Sequence, residues 1–526
     1  LRINGALTDG FKDNAQGIDL GNGQFVALKD QLQTGTSWSY RLNAGQDVLL
    51  GADRQIRTGT GQIDIAAGRD VVLATAGSAI YTAGRADLTQ RYGTLKNLTV
   101  ANAYFGEYPM DGGDISLSAG RDVIGARTGQ FFDGWMARTG NWSNNVDHTG
   151  ETPTAWAVAL GGPVSGTQGR FEQNIGALGG GNVTVAAGHD VKELSVILPT
   201  TGKSVGQLTG AADDTNTNVL TNEVAVNGGG HLAIVAGNDV VGGTFYDGKG
   251  DAEIAAAGSI RSSDTTGMGV VLALGDSRFS LSAGDRIDVG TILNPTVIND
   301  PKSRNYFFTY SGQSGVALNT LSGDITLQNN VSGLVKSLNE VRASDKKLLF
   351  PSVAMNALAV YPGSLNASSA QGNVKIERSL VMFPSANGLF RLVAGGNVGS
   401  SLLNNYVNVT MSDADAVLLP RVSNPALSWD EANKRLQAIG DPSYIHAKNP
   451  VHSNDGNRAE IYAGGSILGM DPLLFSMPVS ANIQAGADIQ DVSFNLQHPD
   501  YAVSTISAGR DLRFTSPRNK LGNLIN

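Results

Sequence analysis

Asp47, Asp70, Asp122, Asp190, Asp239, Asp488 and Asp511 each stand two residues after a glycine, at Gly45, Gly68, Gly120, Gly188, Gly237, Gly486 and Gly509. Carboxylates recurring in one register suit two kinds of chemistry. Stacked oxygens bind a hard cation such as calcium, or each short side chain accepts a backbone N–H and closes a turn. The same position is Asn397 in "AGGNV" and Ser466 in "AGGSI", which keep the acceptor and discard the charge. A turn cap survives that exchange and a metal ladder does not. The calcium-binding nonapeptide rich in Gly and Asp is absent as well. The pattern therefore predicts structural caps with glycine supplying positive φ at the corner, and neither a metal nor another cofactor.

What must position these caps is legible in "IDIAAGRDVVL", residues 63–73. Ile63, Ile65 and Ala67 alternate with Asp64 and Ala66, and apolar residues resume at Val71 and Leu73. Period two on both sides of a glycine predicts strand, sharp corner, strand. Related cores recur at Gly258, Gly284, Gly395 and Gly464, with weaker copies at Gly323 and Gly372. Their separations cluster near about 22 residues or multiples of it, a unit of roughly 20 to 25 residues with some copies eroded or interrupted. A leucine-rich repeat has that length too, but its helical half is missing. Short strands returning at this interval predict an all-β chain wound as a parallel β-helix, each rung pairing with the next.

Composition narrows the partners. The net charge of −9 over 526 residues, with no basic run, leaves no electrostatic footprint for nucleic acid. With no cysteine, disulfides, thiolate metal sites and a Cys nucleophile are excluded. No stretch of 18 or more apolar residues predicts a membrane span. The chain opens at Leu1 without a signal-like segment and reads as an internal piece of a longer protein.

The serial "AGRDV", "AGHDV", "AGNDV", "AGGNV" and "AGGSI" cores, with "GGDISLS" and "GGNVTVA" strands before them, run from about residue 40 to 515. In these features the chain resembles the filamentous haemagglutinin family, exoproteins exported by two-partner secretion in Gram-negative bacteria. The resemblance implies a right-handed parallel β-helix, export through an outer-membrane transporter, an extracellular or cell-surface location, and adhesion to host cells, other bacteria or matrix polysaccharide. The amino-terminal secretion domain of such proteins is not found among these residues. Two rival expectations stand beside this one: the shaft of a contact-dependent inhibition toxin-delivery exoprotein, and a carbohydrate-active β-helix enzyme.

The interruptions divide the chain into an entry segment at 1–40, rungs at 41–125, an excursion at 126–182, rungs at 183–399, an excursion at 400–460, and rungs at 461–526. Insertions in a repeat stack leave as loops and build binding surfaces. The first excursion carries Phe131, Phe132, Trp135, Trp142 and Trp156, with Asn144, Asn145 and Asp147 nearby. Rings offer flat faces to sugar C–H groups and the polar residues reach hydroxyls, so these are candidate glycan contacts; the alternative is that the rings fasten the excursion onto the rod. Tyr92, Tyr104, Phe105 and Tyr108 form an upstream aromatic group. In the second excursion, Ser428 and Glu431 make a capping box, and Trp429, Ala432, Leu436 and Ile439 share a face, predicting a helix over about 428–439.

No catalytic grouping emerges, and the chain is expected to be non-enzymatic. Asp213 and Asp214 are adjacent in a Thr/Asn/Gly-rich loop with no His or Arg motif beside them. Acid–base hydrolysis needs carboxylates converging across a cleft, which spacing alone does not settle. His148, His189, His231, His446, His452 and His498 form no metal-binding helical pair. "LPTTGKS", residues 198–204, lacks the leading glycine of a phosphate loop.

Overall fold

The computed structural model describes residues 1–8, 17–19, 25–27, 32, 35–87, 108–132, 135–141, 152–158, 171–204, 224–298, 305–334, 359–400, 406–415, 418–440, 450–452 and 456–515. Alternation of side chains builds the architecture. Strand Ile63–Ala67 buries Ile63, Ile65 and Ala67 and leaves Asp64 and Ala66 partly exposed. Strands Ile115–Ala119 and Val183–Ala187 repeat this. They pair in parallel and in register, so Ile63, Ile115 and Val183 lie in one row and Ile65, Leu117 and Val185 in the next. A slip of one residue would turn every one of these side chains to the wrong face.

This row is one of three parallel ladders in a 35-stranded sheet. The first passes from Tyr40–Ala44 through Ile63–Ala67, Ile115–Ala119, Val183–Ala187 and Gly230–Ala236 toward Ala481–Ala485 and Thr505–Ala508. The second joins Arg2–Ile3, Val48–Leu50, Val71–Leu73, Val123–Ile124 and Val191–Lys192, and reaches Leu512–Arg513. The third contains Gln55–Thr58, Ala79–Thr82, Ile175–Ala177 and Val196–Leu198. Strands Thr244–Ala256 and Val270–Ala283 run unbroken from the third ladder into the first. The apolar faces of the three ladders meet in one continuous core that extends from Ile3 to Val492. Each buried Val, Leu or Ile there contributes about 1.5–3 kcal/mol.

Two departures from the parallel pattern involve the predicted excursions. Met136–Asn141, Thr152–Val158, Thr200–Ser204 and Val224–Gly228 form an antiparallel sheet. The first excursion thus enlists strands beyond residue 182, and the chain is back in the third ladder at Ile175–Ala177, before that boundary. The second departure is the helix Trp429–Gly440. Ser428 Oγ accepts the Glu431 N–H at 3.2 Å, while the Glu431 carboxylate accepts from the Leu427 N–H at 2.9 Å, one residue earlier than a capping box places it. Ala432, Leu436 and Ile439 are buried, packed with Tyr306, Phe308, Val360 and Leu419. Ser428→Ala should lower stability by about 1 kcal/mol, read as an earlier urea midpoint with an unchanged slope.

Among the described residues no helix is long and apolar enough to cross a membrane.

Candidate functional site

The recurring corners differ from the sequence expectation in one respect. Positive φ is not what their glycines supply, since none of Gly45, Gly68, Gly120, Gly188, Gly237, Gly486 and Gly509 has it. Close approach is. A Cβ on Gly68 would lie 2.2 Å from the carbonyl oxygen of Gly45, on Gly120 2.3 Å from that of Gly68, and on Gly188 2.2 Å from that of Gly120. Main chain passes over main chain at each of these three corners, whereas Gly45, at the head of the row, has nothing within 4 Å of a Cβ.

The caps act between repeats. The Asp70 N–H donates to Asp47 Oδ1 at 3.3 Å, Asp122 to Asp70 at 3.2 Å, Asp190 to Asp122 at 3.0 Å, and Asp239 to Asp190 at 2.9 Å. Asp511 donates likewise to Asp488 at 3.3 Å. Where the charge is lost the bond persists, from the Ser466 N–H to Asn397 Oδ1 at 2.7 Å and from the Asp488 N–H to Ser466 Oγ at 3.2 Å. Each short side chain therefore caps the equivalent amide of the following repeat, which satisfies a donor that the corner takes out of the ladder.

The residue between glycine and aspartate also has a job, which its variability in the sequence concealed. Arg69 Nε donates to Asp47 at 2.7 Å, Arg121 Nε to Asp70 at 2.8 Å, and Asn238 to Asp190 at 2.8 Å. The Arg69 guanidinium holds the Asp47 carboxyl down at about 2. Burial pushes Asp190 up, but the Lys192 ammonium, the Asp239 N–H and the Asn238 amide outweigh it and bring it to about 2.

Asp122, His189 and Asp190 bring three potential ligand atoms within 4.8 Å of one another. Lys192 Nζ stands 2.7 Å from Asp190 and 3.7 Å from Asp122, so the protein's own cation already serves these carboxylates. His189 occupies the position of Arg69 and Arg121, with Nδ1 3.2 Å from Asp122 Oδ1. These contacts describe a charge ladder along the corners.

The candidate glycan residues fall into two groups. Trp142, Asn144, Asn145 and Asp147 lie outside the described residues. Phe131, Phe132, Trp135 and Trp156 are all buried, with Trp135 at 0 % exposure. Their faces are spent on one another and on the third ladder. Phe132 meets Trp135 at 6.0 Å and Tyr246 at 5.4 Å between ring centroids, and Trp135 meets Phe171 at 6.4 Å. Trp156 lies 5.4 Å from Phe307, covers Gly202 and donates from Nε1 to Thr200 Oγ1 at 3.2 Å. The expectation that these four rings present flat faces to a sugar is corrected: they fasten the antiparallel sheet to the parallel one. Arg138 reinforces the seam, donating to the carbonyls of Thr296 and Ile298 while its guanidinium stacks over Tyr306.

Of the upstream aromatic group, Tyr92, Tyr104 and Phe105 lie outside the described residues; Tyr108 is buried against Ala155 and Ala157 of the antiparallel sheet. Asp213, Asp214, His148 and His446 also lie outside the described residues. The "LPTTGKS" stretch is strand on both sides of Pro199.

One buried acid was not anticipated. Asp247, at the end of its third-ladder segment, is fully buried; Oδ1 accepts the Lys249 N–H at 3.2 Å and Oδ2 has no hydrogen-bond partner among the described residues. Burial, with Asp251 and Asp276 adding repulsion against the opposing Lys249 bond, pushes it up to about 8. At neutral pH it is a carboxylic acid.

Comparison with protein-family models, with curated proteins and with solved structures finds no match for this chain.

Proposed function

We propose that the three ladders are the faces of a right-handed parallel β-helix, and that this rod is the structural shaft of a secreted or surface-displayed adhesin of the filamentous haemagglutinin kind. The observation that carries this reading is the in-register continuation of the first and second ladders from the first fifty residues to Leu512–Arg513. Right-handed crossovers are the rule for parallel strands of one sheet, which favours that hand. Roughly a dozen strands about 4.8 Å apart give a column of about 60 Å.

A column of this kind works by reach. It holds individually weak contacts away from the cell that exports it through an outer-membrane transporter, and many copies acting together make attachment to host cells, bacteria or matrix glycans strong. No chemical transformation enters this reading.

Small-angle scattering and microsphere attachment test it together. The expected results are an elongated particle and beads whose adhesion to epithelial or bacterial cells exceeds that of the monovalent chain by about a hundredfold. A compact, near-spherical particle would overturn the rod. An elongated particle whose beads adhere no better than bare ones would overturn adhesion.

A further inference from the structure

The outward face of the first ladder carries a half-open trough of about 280 Å³ near its carboxy-terminal end. Two register positions build it. At the first, earlier repeats hold mostly small residues, among them Ser116, Thr184, Ala233, Ser280 and Ala317, and three successive repeats then hold Arg391, Glu460 and Asn482. At the second, two residues further along each strand, Ser118, Ala186, Ala255 and Ser282 are followed in those three repeats by Val393, Tyr462 and Gln484. Residues two apart on a strand point to the same side, so these side chains rise as two rows along the main chain of Ile461. Small residues leave a sheet face flat, and the six larger ones turn it into a trough.

The walls hold polar groups with capacity to spare. Arg391 Nε donates to Glu460 Oε2 at 2.8 Å, with both side chains about half exposed. That pair cancels the charge of the trough. Asn482 Oδ1 accepts from Thr505 Oγ1 at 2.8 Å, which leaves the amide nitrogen of Asn482 to donate elsewhere. Among the described residues the Gln484 amide and the Tyr462 hydroxyl have no hydrogen-bond partner. Tyr462 is 43 % exposed, and its ring meets no other ring among the described residues.

We propose that this trough binds one neutral pyranose unit of a glycan, with ring C–H groups against Tyr462 and Val393 and hydroxyls bonded to Glu460, Asn482 and Gln484. The class follows from the walls. A purely apolar ligand would strip water from four polar side chains and return no hydrogen bond. A charged ligand finds no free counter-ion, because Arg391 and Glu460 already serve each other. An extended peptide would need main-chain partners, and the strands below are paired on both sides within the ladder. Hydroxyls donate and accept at once, and a pyranose carries them around an apolar C–H face that suits an exposed aromatic ring. The volume lies near the lower end of the roughly 300–1,000 Å³ of small-ligand sites, which fits a single ring. This site deepens the attachment reading and rests on it for its biological sense, and it stands on a different ladder from the buried tryptophans.

Saturation-transfer NMR on the whole chain tests it, using the methyl glycosides of glucose, galactose, mannose and N-acetylglucosamine at millimolar concentration. At least one should receive transfer through its ring protons. Tyr462→Ser installs the residue type that Ser118, Ser282 and Ser368 place at the same register position, and should weaken that binding by about tenfold while leaving the urea midpoint nearly unchanged. Gln484→Ala should weaken it too. Val235→Ala, at the same register position and exposed but far along the ladder, should bind as wild type does. No transfer to any of the four glycosides, unchanged transfer in either trough variant, an equal loss in Val235→Ala, or stronger transfer to glucuronate or glucosamine than to every neutral glycoside overturns the proposal. Beads that adhere although the trough is silent would remove this site and leave attachment standing. Sugar transfer at the trough with beads that do not adhere would keep the site and remove adhesion.

Discussion

Asp247→Asn is expected to stabilise the protein at pH 7 by roughly 2–4 kcal/mol, and to have almost no effect at pH 4. The acid is raised from an ordinary 3.8 to about 8 by burial, with Asp251 and Asp276 close by. Between those values the folded chain keeps a proton that the unfolded chain has lost. Stability from this group is therefore complete below the unfolded value and falls as pH rises, by about 1.4 kcal/mol per unit, until the folded value is passed. Asparagine keeps the oxygen that accepts from Lys249 and carries no proton to lose.

Glu193 and Glu377 are raised by burial as well and act in the same direction, so the variant should flatten most of the decline and not all of it. Asp47 and Asp190, held at about 2, have the opposite sign: their stability is present above the usual carboxylate range and is lost as pH falls through about 2. Urea unfolding at pH 2, 4, 6 and 8 separates the two limbs. Equal pH slopes for wild type and variant would show that Asp247 is ionised in the folded state.

Gly188→Ala carries the other large effect. The new methyl group would lie 2.2 Å from the Gly120 carbonyl oxygen and 2.9 Å from its carbon. Those atoms are main chain and have no rotamer to yield with. Relief requires the two repeats to part where the Gly188 N–H meets Ala119 at 2.9 Å and the Asp190 N–H meets Asp122 at 3.0 Å. A loss of about 3 kcal/mol, at the upper end of overpacking costs, is expected in the urea midpoint. Gly45→Ala is the matched control. Nothing lies within 4 Å of a Cβ there, so the same substitution should fall within about 0.5 kcal/mol of wild type. Equal losses at both positions would mean that local conformation, and not the approach of successive repeats, sets the requirement for glycine.

The strands were readable because their signal is local. Ile63, Ile65 and Ala67 alternate in the sequence and are the buried members of their strand. The helix announced itself through Ser428 and the face formed by Ala432, Leu436 and Ile439. The glycines were readable as corners, but the reason for them was misread, since the atom that forbids a Cβ at Gly188 belongs to Gly120. The partners of Arg69 and Arg121 were hidden likewise: each donates to the aspartate one repeat earlier, Asp47 and Asp70, and no motif within one repeat contains both members.

Residue types and their recurrence were enough to specify strand, corner and a repeating unit, because side-chain alternation and turn caps act over a few bonds. They could not say which way Trp135 and Trp156 face, since burial depends on what arrives on the far side, here Tyr246 and Phe307. Nor could they reveal the weakened acidity of Asp247 or the left-handed backbone of Glu193, which arise from low-polarity surroundings and from backbone angles set by neighbours distant in the chain.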